Sequence, residues 1–176
     1  MIQLTTLMWW MAIFFGIIGF LRGWKKEIVA TAGIVLAMFA VFQFDTFLRG
    51  TFFLSLPPSQ IFLVQTAFLM GVVFFVYQAK DIGGAHIRKE NDWQAGMLGA
   101  LMGAVNGYLI GGSLWYFLDI NEYPWEQLMS APAQGTAAAQ SINIIPIVLI
   151  GGGASGTGDL FALGVLILLF FALVVA

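Results

Sequence analysis

Residues able to do chemistry are few in this sequence, and their spacing supplies no catalytic or metal-binding pair. Cysteine is absent and His86 is the only histidine, which excludes thiolate catalysis, Cys-type zinc sites and a His-pair metal site. Gly151, Gly153 and Gly156 fit the spacing G-x-G-x-x-G, but no βαβ unit surrounds them, as a dinucleotide site would require. The sequence therefore predicts no enzyme, no metal and no cofactor; a bound lipid or pigment is left open.

The composition is that of a protein whose solvent is mostly lipid. Hydrophobic residues make up 60% of the 176 residues and charged residues 9%, against about 45–50% and about 25% in soluble domains. Seven basic and nine acidic side chains cannot cover a water-facing surface, and no basic patch is present for nucleic acid. We therefore expect an integral membrane protein, with membrane lipids as its first partners and no nucleic acid.

Five apolar stretches approach the roughly 20 residues that a helix needs to cross a bilayer. None of them contains a charged residue or histidine, and they cover residues 4–21, 28–44, 61–77, 93–118 and 160–176. The predicted fold is one all-α integral membrane domain, a bundle of about five transmembrane helices. Residues 119–159 are predicted to form an acidic, Gly/Pro-containing extracytoplasmic loop, whose apolar segment 142–150 is either interfacial or re-entrant.

Basic residues alternate between the connections and predict an orientation. The four connections carry three, one, three and no Lys or Arg in chain order, so the positive-inside rule places the first and third in the cytoplasm, the N-terminus outside and the C-terminus inside. The first connection is so short that spans one and two are expected to be close antiparallel neighbours, approaching through Gly16, Gly19 and Gly33. The residues predicted to form this topogenic cytoplasmic turn are Arg22, Gly23, Lys25, Lys26 and Glu27.

Glycines recur every fourth residue along the fourth span. Gly99, Gly103, Gly107 and Gly111 place a smooth groove on one helix face, which lets another helix backbone approach closely in lipid. This stripe predicts a packing seam within the chain; the alternatives are an interface with a second copy or another subunit, and a slot for a lipid or pigment.

Two amides are predicted inside the membrane beside these apolar faces. Asn106 adjoins the glycine stripe at about the middle of its span, and Gln65 lies one turn inside the third span. They could line a polar path, but hydrogen bonding between helices is the favoured interpretation, because no carboxylate is predicted within a span.

The turn between the first two spans carries a family resemblance. Residues 19–27 read GFLRGWKKE, which resembles the G-F-x-R-G-x-x-(K/R)-E turn of the colicin V production protein (CvpA) family, and the later run of Gly99, Gly103 and Gly107 is similar to that family's glycine-rich helix. The resemblance covers residues 4–120, and the tail from Asn121 looks like an addition. Where family members often carry a basic residue before the last of these glycines, this chain has Asn106.

The resemblance implies a multi-pass protein of the bacterial inner (plasma) membrane, associated with toxin production or export and with envelope homeostasis, and it implies no catalytic residues. We therefore expect a non-enzymatic protein that acts through helix–helix packing, as a homo-oligomer or within a larger membrane complex. One alternative is an accessory structural subunit of a respiratory or photosynthetic complex. Another is a small channel or transporter that uses Asn106, Gln65 and the glycine-rich segment 151–158.

Overall fold

A computed structural model describes residues 4–78, 93–125, 131–152 and 157–175, and within these ranges every regular element is helical. The predicted all-α fold is confirmed. The elements are α1 (Leu4–Arg22), α2 (Trp24–Thr51), α3 (Pro58–Gln78), α4 (Trp93–Ile120), α5 (Ala137–Gln140), a 3₁₀ helix (Ser141–Ile144), α6 (Pro146–Gly151) and α7 (Asp159–Val175).

Four of these helices, α1 to α4, are long and apolar enough to cross a membrane. The predicted fifth span forms as helix α7, whose 17 residues extend about 26 Å at 1.5 Å per residue; whether it crosses the membrane stays a prediction. Among the described residues, four helices are thus long and apolar enough to span a membrane, and α7 is a shorter apolar helix. No membrane is part of the structure, so the orientation stays a prediction.

Helix α2 is longer than predicted at both ends, because ion pairs let charged residues continue the helix. At its start, Glu27 pairs with Arg22 of α1, and at its end Arg49 pairs with Asp45 one turn earlier. The predicted six-residue turn at 22–27 is therefore wrong: only Gly23 is non-helical. Its φ of 85° lies in the left-handed region that glycine adopts without strain. Lys25, Lys26 and Glu27 belong to α2.

Helix α1 packs against α4, not against α2 as predicted from the short turn. Gly16 and Gly19 face α4, where they approach Ala100, Ala104, Gly99 and Gly103, whereas Gly33 of α2 faces Val76 of α3. The reason is that a single residue at φ 85° allows two helices to diverge, so a short connection does not by itself force close packing. The order of contacts along α1 and α4 shows that these two helices run antiparallel.

The centre of the bundle is an apolar cluster from α2, α3 and α4, to which α6 and α7 add. Its fully buried members include Met38, Leu69, Ile110, Ile147 and Phe161. Large apolar side chains are exposed on α1, α3 and α7, as expected for faces that meet lipid. We call the end of the bundle at Gly23 the inner end, and the opposite end the outer end.

The segment after α4 re-enters the bundle. Pro146 packs on Gly112, which lies eight residues and so about 12 Å before the outer end of α4, and Tyr108 donates a hydrogen bond to the carbonyl of Ile144. Pro146 starts α6 as its first residue, because proline is accommodated at the first helical position. The segment thus folds back against α4, and we call residues 141–151 the re-entrant segment for this geometry; whether it is interfacial or enters the bilayer stays a prediction. Gly153 and Gly156 lie outside the described residues.

Candidate functional site: a glycine seam and two polar clusters

The glycine stripe of α4 lies against the backbone of α1. A Cβ built on Gly103 would collide with the Phe15 carbonyl oxygen and lie 2.9 Å from the Cα of Gly19; one on Gly107 would lie 2.8 Å from the Cα of Ala12. Real Cβ atoms do not approach backbone so closely, so these positions admit only glycine unless the helices separate. We call this α1–α4 contact the glycine seam.

The other two glycines continue the glycine seam towards both ends. A Cβ on Gly99 would collide with the carbonyl oxygen of Gly19 and lie 3.0 Å from the Cα of Gly23, and one on Gly111 would lie 3.1 Å from the Cα of Met8. All four stripe glycines therefore contact α1 of the same chain. A partner helix or a flat ligand could use the same face only by displacing α1. The alternatives of a partner interface and of a slot for a lipid or pigment therefore remain predictions.

Polar side chains from all four long helices meet in the inner half of the bundle, and we call them the inner cluster: Arg22, Glu27, Thr31, Tyr77 and Asn106. Glu27 is fully buried, with one carboxylate oxygen 2.6 Å from Nη1 of Arg22. Its other oxygen accepts hydrogen bonds from the Tyr77 hydroxyl and from Nδ2 of Asn106, both at 2.8 Å. The carboxylate is thus held by α1, α3 and α4 while it belongs to α2.

The remaining polar atoms of the inner cluster are also engaged. Arg22 donates through Nη2 to the Tyr77 carbonyl at 3.2 Å, and its guanidinium carbon lies 4.2 Å from the Tyr77 ring centroid. Asn106 donates to the Glu27 carbonyl at 3.2 Å, and its own oxygen lies 2.7 Å from Thr31 Oγ1. Such satisfaction is needed here, because an unpaired buried polar group is costly.

Sequence reasoning missed Glu27, which it treated as a charge of the cytoplasmic turn. The signal available was an opposite charge five residues away at Arg22, which can neutralise a carboxylate as the helix continues past it. Asn106 lies at the middle of α4 (Trp93–Ile120), and its neighbour Gly107 lies against Met11 and Ala12 near the middle of α1. Its depth in the membrane stays a prediction.

A second group, the outer cluster, closes a ring of hydrogen bonds at the other end of the bundle. Arg49 donates to Asp45 at 2.8 Å and to the side-chain oxygen of Asn121 at 2.9 Å; Gln65 donates to Asp45 at 2.9 Å and accepts from Asn121 at 2.8 Å. The amides of Gln65 and Asn121 are buried, while Asp45 and Arg49 are partly exposed. Helices α2 and α3 are thereby joined to the end of α4.

Gln65 was predicted either to hydrogen-bond between helices or to line a polar path. It bonds to Asp45 of α2 and to Asn121, which follows α4. The involvement of Asn121 was not predicted. Beside the outer cluster, the Tyr123 hydroxyl accepts from Trp115 and donates to Asp119, both at 3.1 Å. Burial, with the nearby Asp119 charge adding to it, raises the pKa of Tyr123 to about 12. Its hydroxyl is therefore protonated at neutral pH and can serve as a donor.

The hydrogen bonds and ion pairs of both polar clusters hold neighbouring helices together. Each holds one carboxylate, each carboxylate is paired with an arginine, and each amide spans two helices. Within the described ranges, no group of three His, Cys, Asp or Glu side chains could hold a metal ion. His86 and the basic residues Arg88 and Lys89 lie outside the described residues.

A comparison with known protein families identifies the family of this chain. The model of the colicin V production protein family matches residues 4–143, about four fifths of the chain. The chain belongs to the colicin V production protein family. The suspected resemblance is confirmed. The match extends 23 residues beyond the predicted limit at 120, so Asn121 and the start of the re-entrant segment are family sequence and not an addition. No curated protein and no solved structure matches the chain.

Proposed function

We propose that this membrane protein is a non-enzymatic component of the bacterial inner membrane that supports toxin production or export and envelope homeostasis, and that it acts through the packing of its helices. Family membership supports the biological setting. The observation that carries the mechanism is the glycine seam, in which two membrane-spanning helices of one chain meet backbone to backbone.

The glycine seam suits such a role because it defines one rigid pair of helices in a solvent that gives little drive for association. Within lipid, close backbone contact and dispersion must hold helices together. Phe15 and Met11 present carbonyl oxygens to Gly103 and Gly107, leaving no side chain between the two backbones. The pair α1–α4 therefore forms one rigid unit against which the rest of the bundle packs.

The polar clusters support the same proposal. Of the six buried polar side chains found among the described residues, Glu27, Thr31, Asn106, Gln65 and Asn121 bond to another element, and Ser113 bonds to its own helix. The sequence predicted no carboxylate within a span, and this expected absence counted against a polar path. Glu27 nevertheless places a carboxylate inside the bundle. Side chains from three other helices bond to its two oxygens, which favours a role in holding the helices together.

The test is complementation in a bacterial strain that lacks its own family member. Wild-type chain, Gly103→Leu and Gly71→Leu would be expressed at equal membrane levels, and colicin V secretion and growth on bile salts measured. Gly71 is the matched control, because it lies in a spanning helix with nothing within 4 Å of a built Cβ.

We expect Gly103→Leu to fall to the level of the empty vector and Gly71→Leu to retain at least half of the wild-type activity. Full activity of Gly103→Leu would show that the glycine seam does not carry the function. Failure of the wild-type chain to complement either phenotype would contradict the biological setting itself.

A further inference from the structure

Helix α3 is attached to the bundle in a different way from α1. It buries one residue per turn, namely Ile61, Gln65, Leu69 and Val73. Its single glycine, Gly71, faces open space, so α3 has no counterpart of the glycine seam. Side chains alone hold it against α2 and α4.

Two neutral residues supply the polar attachments of α3, one towards each end. Tyr77 donates to Glu27 and accepts from Arg22 at its carbonyl, and Gln65 bonds to Asp45 and Asn121. They are twelve positions apart along α3, which corresponds to about 18 Å. The middle of the contact is apolar, through Leu69 and Val73.

The ion pairs of both clusters are complete without α3. Arg22 and Glu27 flank the α1–α2 turn, and Asp45 and Arg49 lie on the same turn of α2. Removal of α3 would therefore leave every charge of the two clusters paired.

Asn106 and Asn121 also keep bonds to α2 without α3. The two residues released, Tyr77 and Gln65, lie near the ends of the bundle, where Arg22 and Asp45 are partly exposed and water can replace the lost partners. Tyr77 and Gln65 together make five hydrogen bonds to the other elements. Since hydrogen bonds between membrane helices are individually weak, this attachment is compatible with a minor open state.

From these contacts we propose that α3 is the movable helix of the bundle, that α1, α2 and α4 form its fixed frame, and that Tyr77 and Gln65 are the latches that hold it closed. Opening separates Leu69 and Val73 from the buried faces of α2 and α4. Unlatching breaks hydrogen bonds and apolar contacts but no ion pair.

The chain contains no cysteine, so a single introduced thiol can report opening. Leu69→Cys places the reporter on the buried face of α3, and Met8→Cys places a control reporter in the glycine seam; both native side chains are at most 1% exposed. In lipid nanodiscs, labelling by N-ethylmaleimide would be followed with and without Tyr77→Phe plus Gln65→Leu. Phenylalanine keeps the ring contact of Tyr77 with Phe15 and removes only the hydroxyl.

We expect the two latch substitutions to speed labelling of the Leu69→Cys reporter at least tenfold and to leave the Met8→Cys reporter within twofold. When opening is fast relative to labelling, the rate follows the open population. An equal rise at both reporters would indicate general loosening, and an unchanged rate at Leu69→Cys would indicate a rigid α3; either result overturns the proposal.

Disulfides provide an independent lock. A Cβ built on Gly33 lies 3.5 Å from the Cβ of Val76, and one built on Gly16 lies 3.5 Å from the Cβ of Ala104, both within the range a disulfide spans. Oxidised Gly33→Cys/Val76→Cys should slow hydrogen exchange along α3 at least tenfold relative to its reduced form. Oxidised Gly16→Cys/Ala104→Cys, which locks the frame, should leave α3 unchanged.

Exchange in α3 that is insensitive to the first lock, or equally sensitive to both, would contradict a movable α3 on a fixed frame. If the Gly16→Cys/Ala104→Cys variant forms its disulfide and the Gly33→Cys/Val76→Cys variant does not, the result would contradict the α2–α3 contact on which the proposal rests.

Discussion

Replacement of Glu27 by leucine is the most direct test of the inner cluster. Glu27→Leu keeps side-chain bulk and helix propensity but removes the acceptor shared by Arg22, Tyr77 and Asn106. Among the described residues, the guanidinium of Arg22 then keeps the Tyr77 carbonyl and ring as its partners. The variant therefore isolates the contribution of one buried carboxylate to the assembly of four helices.

The magnitude follows from burial. Removing one partner of a buried ion pair costs about 3–5 kcal/mol. Arg22 is 18% exposed and ends α1, so its long side chain can extend to the headgroups and recover part of that cost. We therefore expect the free energy of unfolding to fall by about 3 kcal/mol, near the lower limit of that range. Glu122→Gln, a change at an exposed carboxylate, should alter it by less than about 0.5 kcal/mol.

The assay is reversible unfolding in mixed micelles by SDS titration, followed by tryptophan fluorescence. The decisive comparison is the double variant Arg22→Leu/Glu27→Leu, which leaves no unpaired charge and should be more stable than Glu27→Leu alone. A double variant as unstable as the single, or a single variant within about 0.5 kcal/mol of wild type, would refute the assignment of a buried, mutually dependent pair.

Two further predictions concern the outer end. Gln65→Leu removes two hydrogen bonds of the outer cluster ring and should lower the free energy of unfolding by about 1 kcal/mol at 0.6 kcal/mol per bond in the same titration; a loss above about 3 kcal/mol would mean that Asp45 depends on Gln65 for charge pairing. Gly112→Leu should displace the re-entrant segment, because a Cβ there would collide with the Pro146 ring. It should increase protease cleavage within residues 141–151, whereas Gly164→Leu, which has open space around it, should leave cleavage at the wild-type rate.

The sequence predicts the spanning helices well because their signal is local. Apolar runs flanked by charges identify α1, α3 and α4 to within a few residues, and the fourfold glycine period identifies the face of α4 that a backbone can approach. The pairing of helices was predicted less well. The short turn suggested that α1 packs beside α2, but Gly19 of α1 packs against Gly99 and Gly103 of α4. Which two glycine-rich helix faces meet depends on the complementarity of surfaces that are 80 residues apart in the chain.

Glu27 and Asn121 were missed for a related reason. A hydropathy window excludes charged residues from a span, yet an ion pair lets the helix continue through them, as Arg22 does for Glu27 and Arg49 does for Asp45. Asn121 follows the last residue of α4, and only the three-dimensional ring with Gln65 distinguishes it from an ordinary loop amide.

The placement of the two ion pairs bears on how the bundle forms. Arg22 and Glu27 are five residues apart and Asp45 and Arg49 four, so each pair can close within the first two helices before α3 or α4 is in place. A locally neutralised pair lowers the cost of bringing a charge towards lipid, and the amides of Asn106 and Gln65 can bond to the carboxylates afterwards. Charge thus provides early, local pairing, whereas the glycine seam and the amides provide specificity between distant helices. Separating Arg22 from Glu27 by two inserted alanines after Gly23 should therefore impair membrane insertion itself, an effect that loss of Asn106 would not produce.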